Sequence, residues 1–267
     1  MTSRRIKFGI FAFLLLGILL VCGFMVGREI LSRQKENKDF EQLVKLVTME
    51  NLDSISTPTE SPAVTEQPEA TVAPAPENGE EPQEQRRDLS ELFAMNDDFV
   101  GWLYIPDTDI NYPVMHTTDD PERYLRRNFH GEYSESGVPF LDFRCTLDSD
   151  NLIIYGHNMM NGTMFAGLRG YVQKDFCDQH PIIEFQTADG CAEYQVFAVV
   201  QVKSNDDWYK FVDAGTAEDF NKAVGNIAGR ALFTVIDLPK YGRQLLTLST
   251  CYDSSHNGRL LVIAAKI

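Results

Sequence analysis

The stretch QLLTLSTCYDSSHNGRLLVIAAK, residues 244–266, sets two apolar runs, 244–251 and 259–266, on either side of a short polar connection containing Asn257-Gly258. Read as strands joined by a loop, they leave Cys251 at the end of one strand and Arg259 at the start of the next. A cysteine there is either a small buried hydrophobe or a nucleophile facing a groove. Arg259 is either a solvated hairpin residue or a guanidinium that returns to the same end of the sheet. In the second case it stays charged at any working pH and offers a planar fork of donors to a thiolate or a carbonyl.

Working outward, the same kind of short apolar run recurs upstream: VGWLYI (100–105), INYPVM (110–115), GVPFLD (137–142), NLIIYGH (151–157), IIEFQT (182–187), EYQVFAVVQV (193–202) and ALFTVI (231–236). Eight or nine short strands with few long helices predict a mainly β domain, a barrel or a sandwich. A short helix over DLSELFAMNDDFVGW leads into the first strand. The clearest helix is 216–229, TAEDFNKAVGNIAG, where Thr216 and Asp219 form a capping-box pattern and Phe220, Val224 and Ile227 share one face. It sits within a connection between two strands, where loops shape binding sites.

N-terminal to this domain the composition changes twice. Residues 8–27, FGIFAFLLLGILLVCGFMVG, are twenty apolar or small residues without charge, enough to span about 30 Å of hydrocarbon as a helix. The run exceeds a usual signal-peptide core and no A-x-A site follows, which predicts an uncleaved transmembrane anchor. The short basic N-terminus, 1–7, predicts a cytoplasmic N-terminus and an extracellular C-terminal domain. Residues 28–50 contain an amphipathic juxtamembrane helix, with Phe40, Leu43, Val44 and Val47 at helical spacing. Residues 51–87 read as a disordered acidic spacer: six of the chain's twelve prolines fall there, among Thr, Glu, Ala and Ser, with almost nothing large and apolar. The globular domain then runs 88–267.

The formal net charge of −15 is correspondingly local: between Glu50 and Asp88 ten acidic residues face only Arg86 and Arg87. No basic stripe offers phosphate neutralisation, so nucleic acid is not an expected partner. The five cysteines, Cys22, Cys145, Cys177, Cys191 and Cys251, are odd in number and contain no CxxC pair, which argues against a disulfide framework or a zinc site. Of the five histidines, His157 stands out because an apolar strand runs straight into Gly156-His157. His256 is nearer to Cys251 in sequence but lies in the polar turn. His116, His130 and His180 occupy loop contexts, and no HxxxH or HExxH spacing points to a metal.

Taken together, TLSTC (247–251), the arginine that follows it, and the segments GWLYIPDTDINYPVMHTTDDPERYL (101–125), GVPFLDFR (137–144), NLIIYGHNMMNGTMFAGLRGY (151–171) and HPIIEFQT (180–187) resemble the sortases, cysteine transpeptidases of Gram-positive bacteria, and specifically class B. The resemblance spans roughly 89–267. It implies an eight-stranded sortase-like β-barrel with short peripheral helices and a helix between strands 6 and 7. It also implies Cys251 as nucleophile, His157 as general acid/base, Arg259 as the residue that positions substrate and stabilises the oxyanion, and Ser249 as a substrate contact.

Tyr252 departs from the family pattern, in which some relatives carry an acid, so it is placed among the substrate-binding residues without an assigned role. The Cys251-to-Arg259 spacing of eight, shorter than in many sortases, implies a tight final hairpin. No metal and no cofactor are expected. The implied partners are a sorting-signal peptide of a secreted surface protein, of the NP[QK]TN or [SP]PKTG type, and a peptidoglycan precursor or stem-peptide amine. Three alternatives stay open: a class B pilin polymerase using a pilin lysine, a hydrolytic cysteine protease, and a catalytically silent tethered binding module.

Overall fold

The computed structural model describes residues 87–235, 237–252 and 257–267, with scattered helical positions between 17 and 47. The chain divides into two units, Met1–Val44 and Lys45–Ile267. In the first, the described positions are helical; the continuous helical stretch 38–47 runs on into the second, where the sequence pattern predicts an amphipathic helix. Among the described residues no helix is long and apolar enough to cross a membrane. Most of the run 8–27, and all of 51–86, lie outside the described residues.

The eight strands are β1 Phe99–Tyr104, β2 Asn111–Met115, β3 Phe140–Leu141, β4 Asn151–Tyr155, β5 Ile182–Thr187, β6 Gly190–Lys203, β7 Leu245–Cys251 and β8 Gly258–Lys266. They close into a barrel in the order β1-β2-β3-β4-β7-β8-β6-β5, which decides between the barrel and the sandwich. Closure also removes the exposed sheet edges that an open sheet would present. The ninth apolar run, 231–236, is not a strand over its described residues. Leu232 makes one backbone bond to Val199, while Ala231 and Val235 pack against the apolar cluster on the outside of the barrel. Its hydrophobicity is used for covering a sheet face rather than for extending the sheet.

β4 and β7 pair in parallel, and β7 pairs antiparallel with β8. Most of their residues are buried, on both faces of the sheet, because both faces are covered. Leu246, Leu248, Leu260 and Val262 are fully buried. Leu245, Leu261, Ile263 and Ala265 instead join Trp208, Phe220, Val224 and Ile227 in the outer cluster. Phe220, Val224 and Ile227 belong to helix Ala217–Ala228, in the long connection between β6 and β7. Its cap matches the sequence pattern: Thr216 Oγ1 accepts from the Asp219 amide at 3.1 Å and donates to Asp219 Oδ2 at 2.7 Å. The predicted helix before β1 spans Ser90–Met95.

Four elements had no clear sequence signal. They are helix Lys174–Gln179 and the 3-10 helices Arg123–Arg126, Phe165–Val172 and Asp207–Lys210. Each is short or interrupted by glycine, so no sustained apolar period marks it.

Candidate active site

Cys251 is the last residue of β7, and its partner directly across the β7–β8 ladder is Arg259. Directly opposed residues of an antiparallel pair project their side chains to the same face, with Cβ atoms about 4.5–5.5 Å apart. The thiol and the guanidinium are therefore neighbours by register. The spacing of eight that predicts a tight hairpin corresponds to this pairing. Tyr252 extends it, its amide donating to the Gly258 carbonyl at 3.0 Å. Tyr252, Val202, Asp206, Arg230 and Arg259 line a cleft of about 530 Å³. From the 3-10 helix Phe165–Val172, the Arg169 guanidinium lies 5.6 Å from the centre of the Tyr252 ring, a cation–π distance.

His157 comes from the neighbouring strand. The parallel register pairs Tyr155 with Ser249, and His157 and Cys251 each lie two residues further on. The ladder continues beyond β4: the Gly156 amide donates to the Ser249 carbonyl at 3.1 Å, and Thr250 Oγ1 donates to the Gly156 carbonyl at 2.7 Å. Asn158 Nδ2 then donates to the Cys251 carbonyl at 2.8 Å. Gly156 serves packing at this point: a Cβ there would meet the Phe165 ring at 2.6 Å.

The imidazole of His157 is half-buried, with Nε2 2.9 Å from the Leu125 carbonyl. Burial pushes its pKa below the ordinary 6.5; the Leu125 bond opposes that shift and the charge of Arg126 adds to it.

Ser249 is buried, and its hydroxyl is 2.8 Å from that of Tyr209. Tyr209 belongs to a short 3-10 helix, Asp207–Lys210, in the β6–β7 connection. Burial pushes its phenol up to about 12; the Ser249 bond and the charge of Arg259 oppose that rise, and the charge of Asp206 adds to it. Its ring stacks on Tyr155 at 6.0 Å. Tyr155 donates to Asp142 Oδ2 at 2.8 Å. Arg144 pairs with Asp142 at 2.8 and 2.6 Å and donates to the Tyr209 carbonyl at 2.7 Å. Burial raises the Asp142 pKa, but its bonds from Arg144 and Tyr155 outweigh that and leave it below the ordinary value. A packed polar network thus fixes the loop that carries Tyr209.

The other thiols and imidazoles have different surroundings. Cys145 is buried, its thiol pushed up to about 11 by burial, and it donates to the Asn151 carbonyl at 3.4 Å. Burial also raises Cys177. His180 bonds the Phe176 carbonyl through Nδ1 at 2.9 Å and stacks on the Phe176 ring, and His256 lies outside the described residues. Among the described residues no group of three or more His, Cys, Asp or Glu side chains is placed to hold a metal ion. Four residues at the site were not singled out in the sequence: Leu125, Asn158, Tyr209 and Gly137, whose backbone packs so closely on Leu125 that a Cβ there would lie 2.5 Å from the Leu125 oxygen. Only Asn158, directly after the candidate histidine, carried a local signal.

An eight-stranded barrel thus pairs a cysteine with an arginine at one strand end, beside a histidine that follows the adjacent parallel strand, and these are the residue types that cysteine-dependent acyl transfer uses. The Sortase domain family model matches residues 103–267, and the chain belongs to the sortase family. It is 34% identical over 183 residues to Sortase B of Listeria monocytogenes, covering 67% of this chain and 74% of that protein. The solved Staphylococcus aureus sortase B–substrate complex superposes with a TM-score of 0.71 at 25% identity, covering 89% of this chain and 98% of that one. A sortase B structure complexed with triglycine gives a TM-score of 0.70 at 26% identity, over 88% and 98% of the two chains. Within the family this is a class B sortase, a cysteine transpeptidase.

Proposed function

We propose that this transpeptidase cleaves a C-terminal sorting signal after a threonine and transfers the surface protein to a cell-wall amine. The thiolate of Cys251 attacks the threonine carbonyl carbon, and the resulting oxyanion is held by the neighbouring Arg259 guanidinium. Protonated His157 donates to the departing amine as the C–N bond breaks, leaving a thioacyl-enzyme. An incoming primary amine then attacks the thioester and gives up a proton to His157, and the Cys251 thiolate leaves. The single observation that carries this reading is the Cys251–Arg259 cross-strand pair beside the strand end that bears His157.

A sorting-signal peptide as first substrate and a peptidoglycan amine as second are supported by the family, by the relative solved with substrate and by the one solved with triglycine. Ser249 is assigned to the substrate side through its pair with Tyr209, and Tyr252 to the wall of the Arg259 cleft. The domain plan that suits this work is a basic N-terminus (1–7), an anchor (8–27), a juxtamembrane helix (28–50), an acidic spacer (51–87) and the catalytic domain (88–267). With the N-terminus cytoplasmic and the domain extracellular, a single-pass membrane anchor would hold the site facing the wall.

The test incubates the full-length chain with a panel of NP[QK]TN- and [SP]PKTG-type peptides, with and without a glycine-peptide amine. Cys251→Ala, His157→Gln and Arg259→Ala serve as variants. Amine-dependent ligation by the parent and loss in all three is the expected result. Cleavage by Cys251→Ala at the parental rate overturns the assignment, and hydrolysis indifferent to added amine favours a protease.

A further inference from the structure

The bond between His157 and Leu125 fixes which imidazole nitrogen is available for chemistry. A backbone carbonyl can only accept, so with Nε2 2.9 Å from the Leu125 oxygen it is Nε2 that carries the proton. In the neutral ring the lone pair is then on Nδ1. Resting on the assignment of His157 as the acid/base, we infer that His157 exchanges the catalytic proton through Nδ1 while Nε2–H stays on the Leu125 carbonyl, and that Gly137 is the positioning residue that sets that carbonyl.

The segment around Leu125 is built to present this one oxygen. Leu125 lies in the 3-10 helix Arg123–Arg126, whose last carbonyls lack partners within the helix. The carbonyls on either side are taken by the chain 134–138: Tyr124 accepts from the Val138 amide at 3.2 Å and Arg126 from the Ser134 amide at 3.1 Å. Leu125 is left between them, turned to His157.

Gly137 sits in the same crossing segment at φ +59. A Cβ there would lie 2.5 Å from the Leu125 oxygen and 2.6 Å from the Tyr124 oxygen. Glycine is required twice, once by the left-handed backbone and once by the approach to both carbonyls. The turn is anchored below by the buried Tyr124, whose hydroxyl donates to Asp98 Oδ2 at 2.8 Å and accepts from Asn96 Nδ2 at 3.1 Å.

The consequence for the reaction is geometric. When His157 is protonated, Nε2–H stays on Leu125 and the new N–H is on Nδ1, so one nitrogen serves for donation to the leaving amine and for deprotonation of the incoming one. A ring held at one nitrogen does not have to flip between the half-reactions.

The test is nitrogen-15 NMR of the full-length chain labelled at histidine, with the His157 signals assigned by their disappearance in His157→Gln. The expected neutral form has a pyrrole-type Nε2 and a pyridine-type Nδ1. An Nδ1–H tautomer, or a fast-exchanging mixture, overturns the inference. In Gly137→Ala the displaced carbonyl should mix the tautomers and lower kcat by on the order of 10- to 100-fold, with KM changing much less.

Should that variant not fold, Tyr124→Phe loosens the same turn from below, and a smaller fall in kcat with the same spectral change is expected. A folded Gly137→Ala or Tyr124→Phe that keeps both kcat and the Nε2–H signature removes the positioning role. Inactive His157→Gln together with an Nδ1–H parent sinks this inference alone, whereas active His157→Gln sinks the proposed mechanism as well.

Discussion

The side-chain amide of Asn158 donates to the backbone carbonyl of Cys251 across 2.8 Å, tying the residue after the candidate base to the candidate nucleophile. The last backbone bond between the two strand ends is from the Gly156 amide to the Ser249 carbonyl. The Asn158 side chain extends that ladder by one further tie, next to both His157 and Cys251. Asn158→Ala should lower kcat about tenfold, consistent with the loss of one bond of ~1 kcal/mol from a positioned pair. Thermal denaturation should move by only a few degrees. A variant with parental kcat would show that the strand ends hold their geometry without the amide.

The depressed pKa of His157 gives a pH prediction whose sign follows from its cause. Burial favours the neutral imidazole, so the folded chain takes up this proton at a lower pH than the unfolded chain does, near 6.5. The stability contributed by burying neutral His157 is therefore complete above about 6.5 and is lost as the pH falls toward the folded value. Chemical denaturation between pH 7 and pH 5 should show the parent losing more stability than His157→Gln. The acid limb of the kcat/KM profile should lie below 6.5. An acid limb above 6.5 would mean that a nearby negative charge, rather than burial, governs the imidazole.

Ser249 and Tyr209 should behave as a coupled unit. The Ser249 hydroxyl is buried against the Tyr209 phenol, so Tyr209→Phe leaves a buried polar group without that partner, at a cost of roughly 1–3 kcal/mol. In a double-mutant cycle, Ser249→Ala should cost less in the Tyr209→Phe background than in the parent, with a coupling of about 1 kcal/mol. The measurement is equilibrium denaturation, with KM for the sorting peptide followed in parallel. Additive effects would show that the two hydroxyls act separately.

What the sequence made legible follows the range of the underlying physics. The strands, the Thr216 cap and the apolar face of Phe220, Val224 and Ile227 are local patterns, and the structure reproduces them. The run 231–236 misled because an apolar segment covering a sheet has the composition of a strand within one. Cys251 and Arg259 were marked by strand ends in the sequence, and register made them neighbours.

Leu125 and Gly137 were invisible for a different reason. The working group on Leu125 is a backbone carbonyl, which every residue possesses, and the demand on Gly137 comes from peptides twelve or more positions away. Tyr209 was hidden in the same way, since its hydroxyl meets Ser249 across forty residues of chain.

Cys145 and Cys251 differ in burial, and the proposed mechanism makes them respond differently to substitution. Cys145 is buried, its thiol is pushed up to about 11, and it donates to the Asn151 carbonyl; Asn151 in turn accepts from Thr247 Oγ1 beneath Trp208. Replacing Cys145 by Ala removes one atom from a packed site and one weak donor, so it should cost about 1–2 kcal/mol of stability and leave kcat near the parental value. Cys251 is only half-buried at a strand end, so Cys251→Ala should leave the denaturation midpoint almost unchanged while abolishing thioacyl-enzyme formation. Intact-mass measurement after incubation with a sorting peptide reads both variants directly. An acyl adduct that survives Cys251→Ala and disappears in Cys145→Ala would transfer the nucleophile to the buried thiol and overturn the site described above.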